Sequence, residues 1–371
     1  MASVSRLLAV AAICVSLLSS FSTAHPGEHH DKIEILKEMR ERGIEAAKQQ
    51  ESWSKCSNSE ESQARQERAL QRRAAIVQQL REERGLTDTP FITRRNMAQF
   101  KQWETKSHDK TTGSRLNSTT PEATVFGTNL SCILAPDNAN GPYYVLGEHI
   151  RSNVVEGQVG VPMHLELQFI DVTTCKPLQP LVVDIWSCNA TGAYSGVSAA
   201  GEGGLQTTFL RGVQQTDSDG VVQFDTIFPG HYSGRATHEH ILTHTGATIL
   251  PNGTFSGGHI SHLSQLFFDT ALINAVEATA PYNTNKIPHT TNDADGFTGY
   301  SATAAYDPFP NYIMLGNKLS HGLFVWAELG VQPTNDQGVY GTNAAYLAAD
   351  GGHDNPGFNF FAIAFPPPTA G

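Results

Sequence analysis

From about residue 122 onward the chain breaks into short apolar runs separated by Gly, Pro, Asn and Asp, and this texture limits the fold more than any other feature. Residues 162–170 (PMHLELQFI), 181–186 (LVVDIW), 221–228 (VVQFDTIF), 264–268 (SQLFF) and 322–328 (GLFVWAE) have strand length and are rich in β-branched and aromatic residues. Turn signals such as Asp219-Gly220 and Pro229-Gly230 fall between them. Runs of this length and spacing predict a mainly β domain, read as an antiparallel β-sandwich spanning residues 117–371. Within it, residues 270–320 are polar and rich in Asn, Thr and Ala, and read as a long loop region.

The first third of the chain has a different character. Residues 25–116 carry 18 basic and 15 acidic side chains, whereas residues 117–371 carry 6 basic and 21 acidic, a net charge of −15. Phosphate neutralisation needs clustered Lys and Arg, so the acidic part does not read as a nucleic-acid binder. Residues 31–48 and 60–84 look helical. In the second, Leu70, Ala74, Val77 and Leu80 recur at three- and four-residue spacing, Ser57 with Glu60 suggests a capping box, and Gly85 marks the end. Residues 25–116 therefore form an α-helical arm. It reads either as a solvated helix packing on its own domain or, more sharply, as a homodimerisation arm.

Residues 1–24 have the organisation of a secretory signal peptide: Arg6, the apolar stretch 7–18 (LLAVAAICVSLL) and the small residues Ser22-Thr23-Ala24. The apolar run is shorter than the roughly 20 residues of a membrane span. The expectation is a secreted, extracellular protein without a membrane span. Sequons at Asn117, Asn129, Asn189 and Asn252 agree with a glycosylated product. Loss of Cys14 with the signal leaves Cys56, Cys132, Cys175 and Cys188, an even count that favours two disulfides. If residues 162–172 and 180–188 formed a hairpin, about 3.3 Å per residue would hold Cys175 and Cys188 too far apart to pair. Cys56 and Cys132 are then the expected partners of those two, in either order.

The chemistry concentrates in residues 229–241, PGHYSGRATHEHI. A strand's period of two places His238 and His240 on one face, and two neutral imidazoles side by side are a natural pair of metal ligands. Tyr232 lies six residues upstream, after a Pro-Gly turn, and a second tyrosine-bearing loop follows the strand-like run in residues 181–196 (LVVDIWSCNATGAYSG). His244, His259 and His262 read as surface or loop histidines.

The ordered segments GPYYV (141–145), RSNVVEGQVGVPMHLELQFIDVTTCKPL (151–178), VDIWSCNATGAYSG (183–196), GVQQTDSDGVVQFDTIFPGHY (212–232), RATHEH (235–240) and SQLFFD (264–269) resemble the intradiol ring-cleavage dioxygenases. With the leader, they look most like the secreted fungal branch of that family. The resemblance implies one Fe(III) per chain, held by Tyr194, Tyr232, His238 and His240. It implies that a catechol binds through both oxygens and displaces Tyr232, which takes up a substrate proton. O2 is then inserted between the two hydroxyl-bearing carbons, giving a muconate-type diacid. Arg235 would stabilise charge developing on the ring, Gln265 would fix Arg235, and Tyr143 or Tyr144 would line the substrate mouth. Two phenolates suit the ferric state, because a trivalent metal can remove protons of pKa about 10. Two departures stand out: Ala236-Thr237 with Glu239 inside the histidine motif, and His231 where the family often has Trp.

Two other classes compete. Cleavage after Ala24 would expose His25, with His29 and His30 close by, as in a copper monooxygenase that chelates its metal with an N-terminal histidine. A secreted binding or wall-associated sandwich with a decayed metal site is the non-enzyme alternative. The low basic content of residues 117–371 favours neutral catechols over carboxylated ones.

Overall fold

The computed structural model describes residues 48–49, 51–89, 133–134, 141–295, 297–298, 307–338 and 341–358. The leader 1–24, His25, His29 and His30, Cys132, and the sequons Asn117 and Asn129 lie outside the described residues, as do most of the first helical stretch and the expected boundary near 116.

In chain order the elements begin with helix α1 (Glu60–Glu83) and strands β1 (Ile133–Leu134), β2 (Val145–Leu146), β3 (Pro162–Asp171), β4 (Leu181–Trp186), β5 (Arg211–Gln215) and β6 (Val221–Ile227). There follow β7 (His238–Thr245), β8 (Thr248–Ile249), β9 (Phe255–Ser256), β10 (His259–Phe267) and helix α2 (Thr270–Glu277). The last strands are β11 (Asn311–Met314), β12 (Leu323–Val331), β13 (Ala345–Ala348) and β14 (Gly351–Asp354). One main sheet runs β10-β7-β4-β5 and is antiparallel throughout. The other runs β1-β12-β3-β6 with β11 on β12, and is mixed: β3 pairs in parallel with β12 and antiparallel with β6.

The two sheets form a sandwich because each strand's period of two sends one apolar row inward. Met163, Leu165, Leu167 and Phe169 of β3, with Val222 and Phe224 of β6, meet Leu181, Val183 and Ile185 of β4, Ile241 of β7 and Leu266 of β10 in one core. The alternate residues of each sheet face away from that core, and they receive opposite treatment. On the mixed sheet they are covered by α1; on the antiparallel sheet they carry the candidate site.

Helix α1 packs on its own domain, the plainer of the two readings of the arm. Val77 and Leu80 join Ile313, Leu315, Phe324 and Trp326 in an apolar cluster. Beside it, Arg72 and Arg73 clasp Glu166 of β3 at 3.0 and 2.8 Å, while Arg65 reaches Glu328 of β12 at 3.2 Å. Ser59, not Ser57, is the N-cap, its hydroxyl accepting from the Ser62 amide, and Gly85 ends the helix with φ 64°. Burial pushes the Glu166 acid up, but Arg73 and Arg72 outweigh it and hold the carboxyl below the usual range. Glu166→Gln would remove the carboxylate the two guanidiniums share, leaving Arg73 the longer contact to Glu328 at 3.4 Å and Arg72 that to Asp219 at 3.6 Å, a loss of about 2–3 kcal/mol. The Glu166 contribution is fully present above an ordinary carboxyl pKa of about 4.3 and disappears as pH falls through the lower folded value. Urea unfolding should therefore separate wild type from Glu166→Gln at pH 7 and bring them together towards pH 2.

Three expectations need correction. Strands β3 and β4 belong to different sheets, so residues 162–172 and 180–188 form no hairpin. Cys175 is bonded to Cys56, one of the two open pairings, and Cys188 is a buried free thiol. The stretch 270–320 is not loop throughout. It contains α2, N-capped by Asp269, whose side chain accepts from the Leu272 amide at 2.7 Å, and it contains β11. Leu272, Ile273 and Val276 bury one side of α2 in the sandwich core. Of the described sequons, Asn252 is exposed and Asn189 is tied into its own turn, accepting from the Thr191 and Ala193 amides. No described helix is long and apolar enough to cross a membrane.

Candidate metal centre

His238 and His240 stand on the outward face of β7, and cross-strand pairing sets their neighbours. His240 lies opposite Trp186 on one side and Gln265 on the other, and His238 lies opposite Phe267. The Trp186 ring stacks on the His240 imidazole, 4.6 Å between centroids and 6° between planes, which fixes that ring's plane. His238 Nδ1 lies 2.6 Å from the Ala236 carbonyl, which can only accept, so Nδ1 carries the proton and Nε2 presents its lone pair. That nitrogen is 3.0 Å from His240 Nε2 and 3.4 Å from the Tyr232 hydroxyl.

The tyrosines arrive on two loops that touch backbone to backbone. Gly192 has φ 91°, and a Cβ there would sit 2.4 Å from the His231 carbonyl oxygen; a Cβ at Gly230 would sit 2.3 Å from that of Asn189. Only glycine allows this approach. It brings the Tyr194 and Tyr232 rings to 5.2 Å, nearly perpendicular. Tyr194 is fully buried, and its hydroxyl makes no hydrogen bond of normal geometry among the described residues. Burial pushes the pKa of both hydroxyls well above the ordinary tyrosine value, making them weaker acids; the Arg235 charge pulls the other way.

Arg235 is wholly buried and used on every edge. Its Nε donates to both Asp295 oxygens at 3.0 and 3.2 Å, one terminal nitrogen donates to Gln265 Oε1, and the other to the Tyr232 hydroxyl at 3.3 Å. Tyr143 packs 4.6 Å from the Tyr194 ring and 5.9 Å from that of Tyr232. Tyr144, the next residue, points the other way: its ring lies on Trp186 and its hydroxyl is 3.3 Å from His244 Nε2. Of the two candidates for the substrate mouth, the structure thus puts only Tyr143 beside the other tyrosines.

The four donor residues picked out in the sequence, together with Arg235 and Gln265, meet in one place. They fit a metal ion. Two imidazole nitrogens 3.0 Å apart match neighbouring ligands of one ion at metal–nitrogen bonds of about 2.1 Å, the length known for zinc. The orphaned Tyr194 hydroxyl supplies a third donor of the right kind. Tyrosine oxygens take the place of the carboxylates common elsewhere, and no group of three or more His, Cys, Asp and Glu suited to a metal occurs among the described residues.

The dioxygenase family model Dioxygenase_C matches residues 139–251, the span that holds both tyrosine loops and the histidine strand. An intradiol ring-cleavage dioxygenase from Tetranychus urticae is 30% identical over 55% of this chain and 97% of that one, with a TM-score of 0.47. The chain belongs to the intradiol ring-cleavage dioxygenase family. This dioxygenase also resembles, at 24% identity, 53% and 97% coverage and a TM-score of 0.35, the dioxygenase domain of a carbohydrate-binding fusion from Streptomyces sp. SirexAA-E. Catechol 1,2-dioxygenase from Pseudomonas arvilla C-1 is 18% identical over 54% of this chain and 63% of that one, with a TM-score of 0.36. No curated protein matches.

Other residues around the dioxygenase's site escaped the sequence reading. Arg211, buried at the start of β5, donates to the Ser195 carbonyl from two nitrogens at 3.1 and 2.7 Å and so anchors the loop next to Tyr194. Asp295 lay in the stretch read as loop. His244 and His262, expected at the surface, are buried strand residues. Glu239 points into the sandwich, opposite the histidines, as the strand period requires. It is wholly buried, neither oxygen makes a normal hydrogen bond, and burial pushes its acid up to about 8, with Ser187 pulling weakly against the rise. His231 fills the place where Trp is frequent by binding Glu277 and the Ile287 carbonyl, both at 2.8 Å.

Proposed function

We propose that this dioxygenase is a secreted enzyme that opens catechol-type rings with O2 between the two hydroxyl-bearing carbons, using one Fe(III) held by Tyr194, Tyr232, His238 and His240. The observation that carries the reading is the convergence of two buried phenols and two imidazoles around one point, with an arginine bonded to one of the phenols. Bound Fe(III) would supply Lewis acidity, drawing electron density from the catecholate so that O2 can attack a ring carbon directly.

The chain's own residues do the rest. Tyr232 is positioned to take a proton from the incoming catechol at its oxygen, with the Arg235 guanidinium 3.3 Å away to balance charge on either species. Arg235 would stabilise negative charge developing on the ring, and such a donor is most effective in a site closed to water. Gln265 holds one edge of the arginine. Tyr143 forms a wall against Tyr194 on which an aromatic ring can pack. The arrangement favours neutral catechols: Arg235 is bound to Asp295 and Arg211 to Ser195, which leaves neither guanidinium free to take a carboxylate. Secretion is supported by the leader-like residues 1–24 and by the Cys56–Cys175 bond, since disulfides persist in oxidising compartments.

Incubation of the iron-loaded protein with catechol under isotopically labelled O2 tests the proposal. A muconate-type diacid carrying both oxygen atoms of one O2 is the expected product. A semialdehyde from cleavage beside the diol, or a quinone with peroxide, would exclude intradiol cleavage.

A further inference from the structure

We propose that Asp295 is the positioning residue that aims Arg235 at Tyr232, an inference that rests on the iron-dioxygenase reading of the site. Both side chains are fully buried. The carboxylate receives Nε of Arg235 at 3.0 and 3.2 Å, and also the backbone amides of Ala236 and Phe297, each at 2.7 Å. It therefore holds the arginine's side chain and the main chain immediately after it, along with the segment that brings Asp295 itself. The Phe297 ring lies 4.4 Å from the guanidinium carbon and covers its face. Asn292 donates to the Phe268 carbonyl at 2.9 Å, and Thr298 Oγ1 to the Asp295 carbonyl at 2.8 Å, tying the segment to the end of β10 and to itself.

The geometry of the fork explains the consequence. A guanidinium is planar and rigid, so fixing Nε and one face fixes where the two terminal nitrogens point. With Nε on Asp295 and one terminal nitrogen on Gln265, the other is directed at the Tyr232 hydroxyl. Gln265 comes from the neighbouring strand and acts on one edge. Asp295 comes from the connection after α2 and acts on another, adding the counter-charge a buried arginine requires. Without Asp295, Gln265 alone leaves the guanidinium free to rotate about its remaining bond.

The test compares iron-loaded wild type with Asp295→Ala, Asp295→Asn and Asp295→Glu by catechol kinetics, iron content and the visible tyrosinate-to-iron absorption band. The expected result for Asp295→Ala is a kcat lower by about 10- to 100-fold, as for other misplaced catalytic groups. KM should stay within about threefold, because the loss is realised in the transition state. The absorption band should move to longer wavelength, since a phenolate that loses a hydrogen bond from Arg235 gives up its electron more easily. Asp295→Glu should recover part of both effects, and Asp295→Asn, which keeps the size and one acceptor oxygen, should fall between. If Asp295→Ala does not fold, Asp295→Asn carries the same comparison. Coloured, active wild type with kcat and band unchanged in the folded variants would overturn the role given to Asp295. Iron-loaded wild type with neither colour nor ring cleavage would overturn the underlying reading.

Discussion

Metal-free Tyr194→Phe protein is expected to be at least as stable as the metal-free wild type, while its affinity for Fe(III) falls by more than about 100-fold, beyond the range seen for second-sphere changes. The two halves of this result have one cause. The Tyr194 hydroxyl is buried and makes no hydrogen bond of normal geometry among the described residues. An unsatisfied buried polar group costs about 1–3 kcal/mol, so the metal-free fold gains by its removal, and phenylalanine keeps the ring packing against Tyr143 and Tyr232. The same oxygen is the donor a metal would use, so the variant loses what the hydroxyl is there to bind. Chemical denaturation of the metal-free proteins gives the first half; a chelator competition and the visible band give the second. A tyrosine that merely packs its loop would leave iron affinity and colour unchanged, since phenylalanine packs the same ring.

Arg235→Met is expected to lower kcat by about 10²–10³-fold, the range for removing one donor to developing negative charge. It should also destabilise the protein by roughly 3–5 kcal/mol, because Asp295 is left charged and buried without its partner. The two effects separate in the double variant Arg235→Met/Asp295→Leu. Replacing a whole buried ion pair by apolar residues is often neutral for stability, so the fold should recover, whereas the catalytic loss should remain. Thermal unfolding and steady-state kinetics on both variants make the comparison. A double variant whose kcat returned to within tenfold of wild type would show that Arg235 acts only as a structural ion pair.

Much of this centre could be read from local rules. His238 and His240 share a face because a strand repeats every two residues, and Glu239 points away for the same reason. Gly85 ends α1 where a helix stop was expected. Helix α2 was missed although its signal was present: Asp269 as a cap, then Leu272, Ile273 and Val276 at helical spacing, inside a stretch whose polar composition reads as loop. Asp295 and Arg211 were not legible. Neither lies in a motif, and each matters only through a partner 60 or 16 residues away in sequence. The same holds for the arm: the sequence shows an Arg-rich helix, but nothing local says that Glu166 and Glu328 wait for it on a sheet.

What the sequence by itself supplied is the candidate donor set: two tyrosines, two histidines at strand spacing, one arginine and one glutamine, in an order shared with a family of dioxygenases. Those features depend on residue type and short-range periodicity, which a single chain displays directly. Only the tertiary structure decided that Tyr143 and not Tyr144 faces the tyrosines, that Cys56 pairs with Cys175, and that Asp295 holds Arg235. These are long-range contacts, set by which sheet each strand joins and how closely two loops approach. The run of short β-like segments announced a sandwich; how its two outward faces were used, one for a helix and one for the candidate metal centre, required the packed chain.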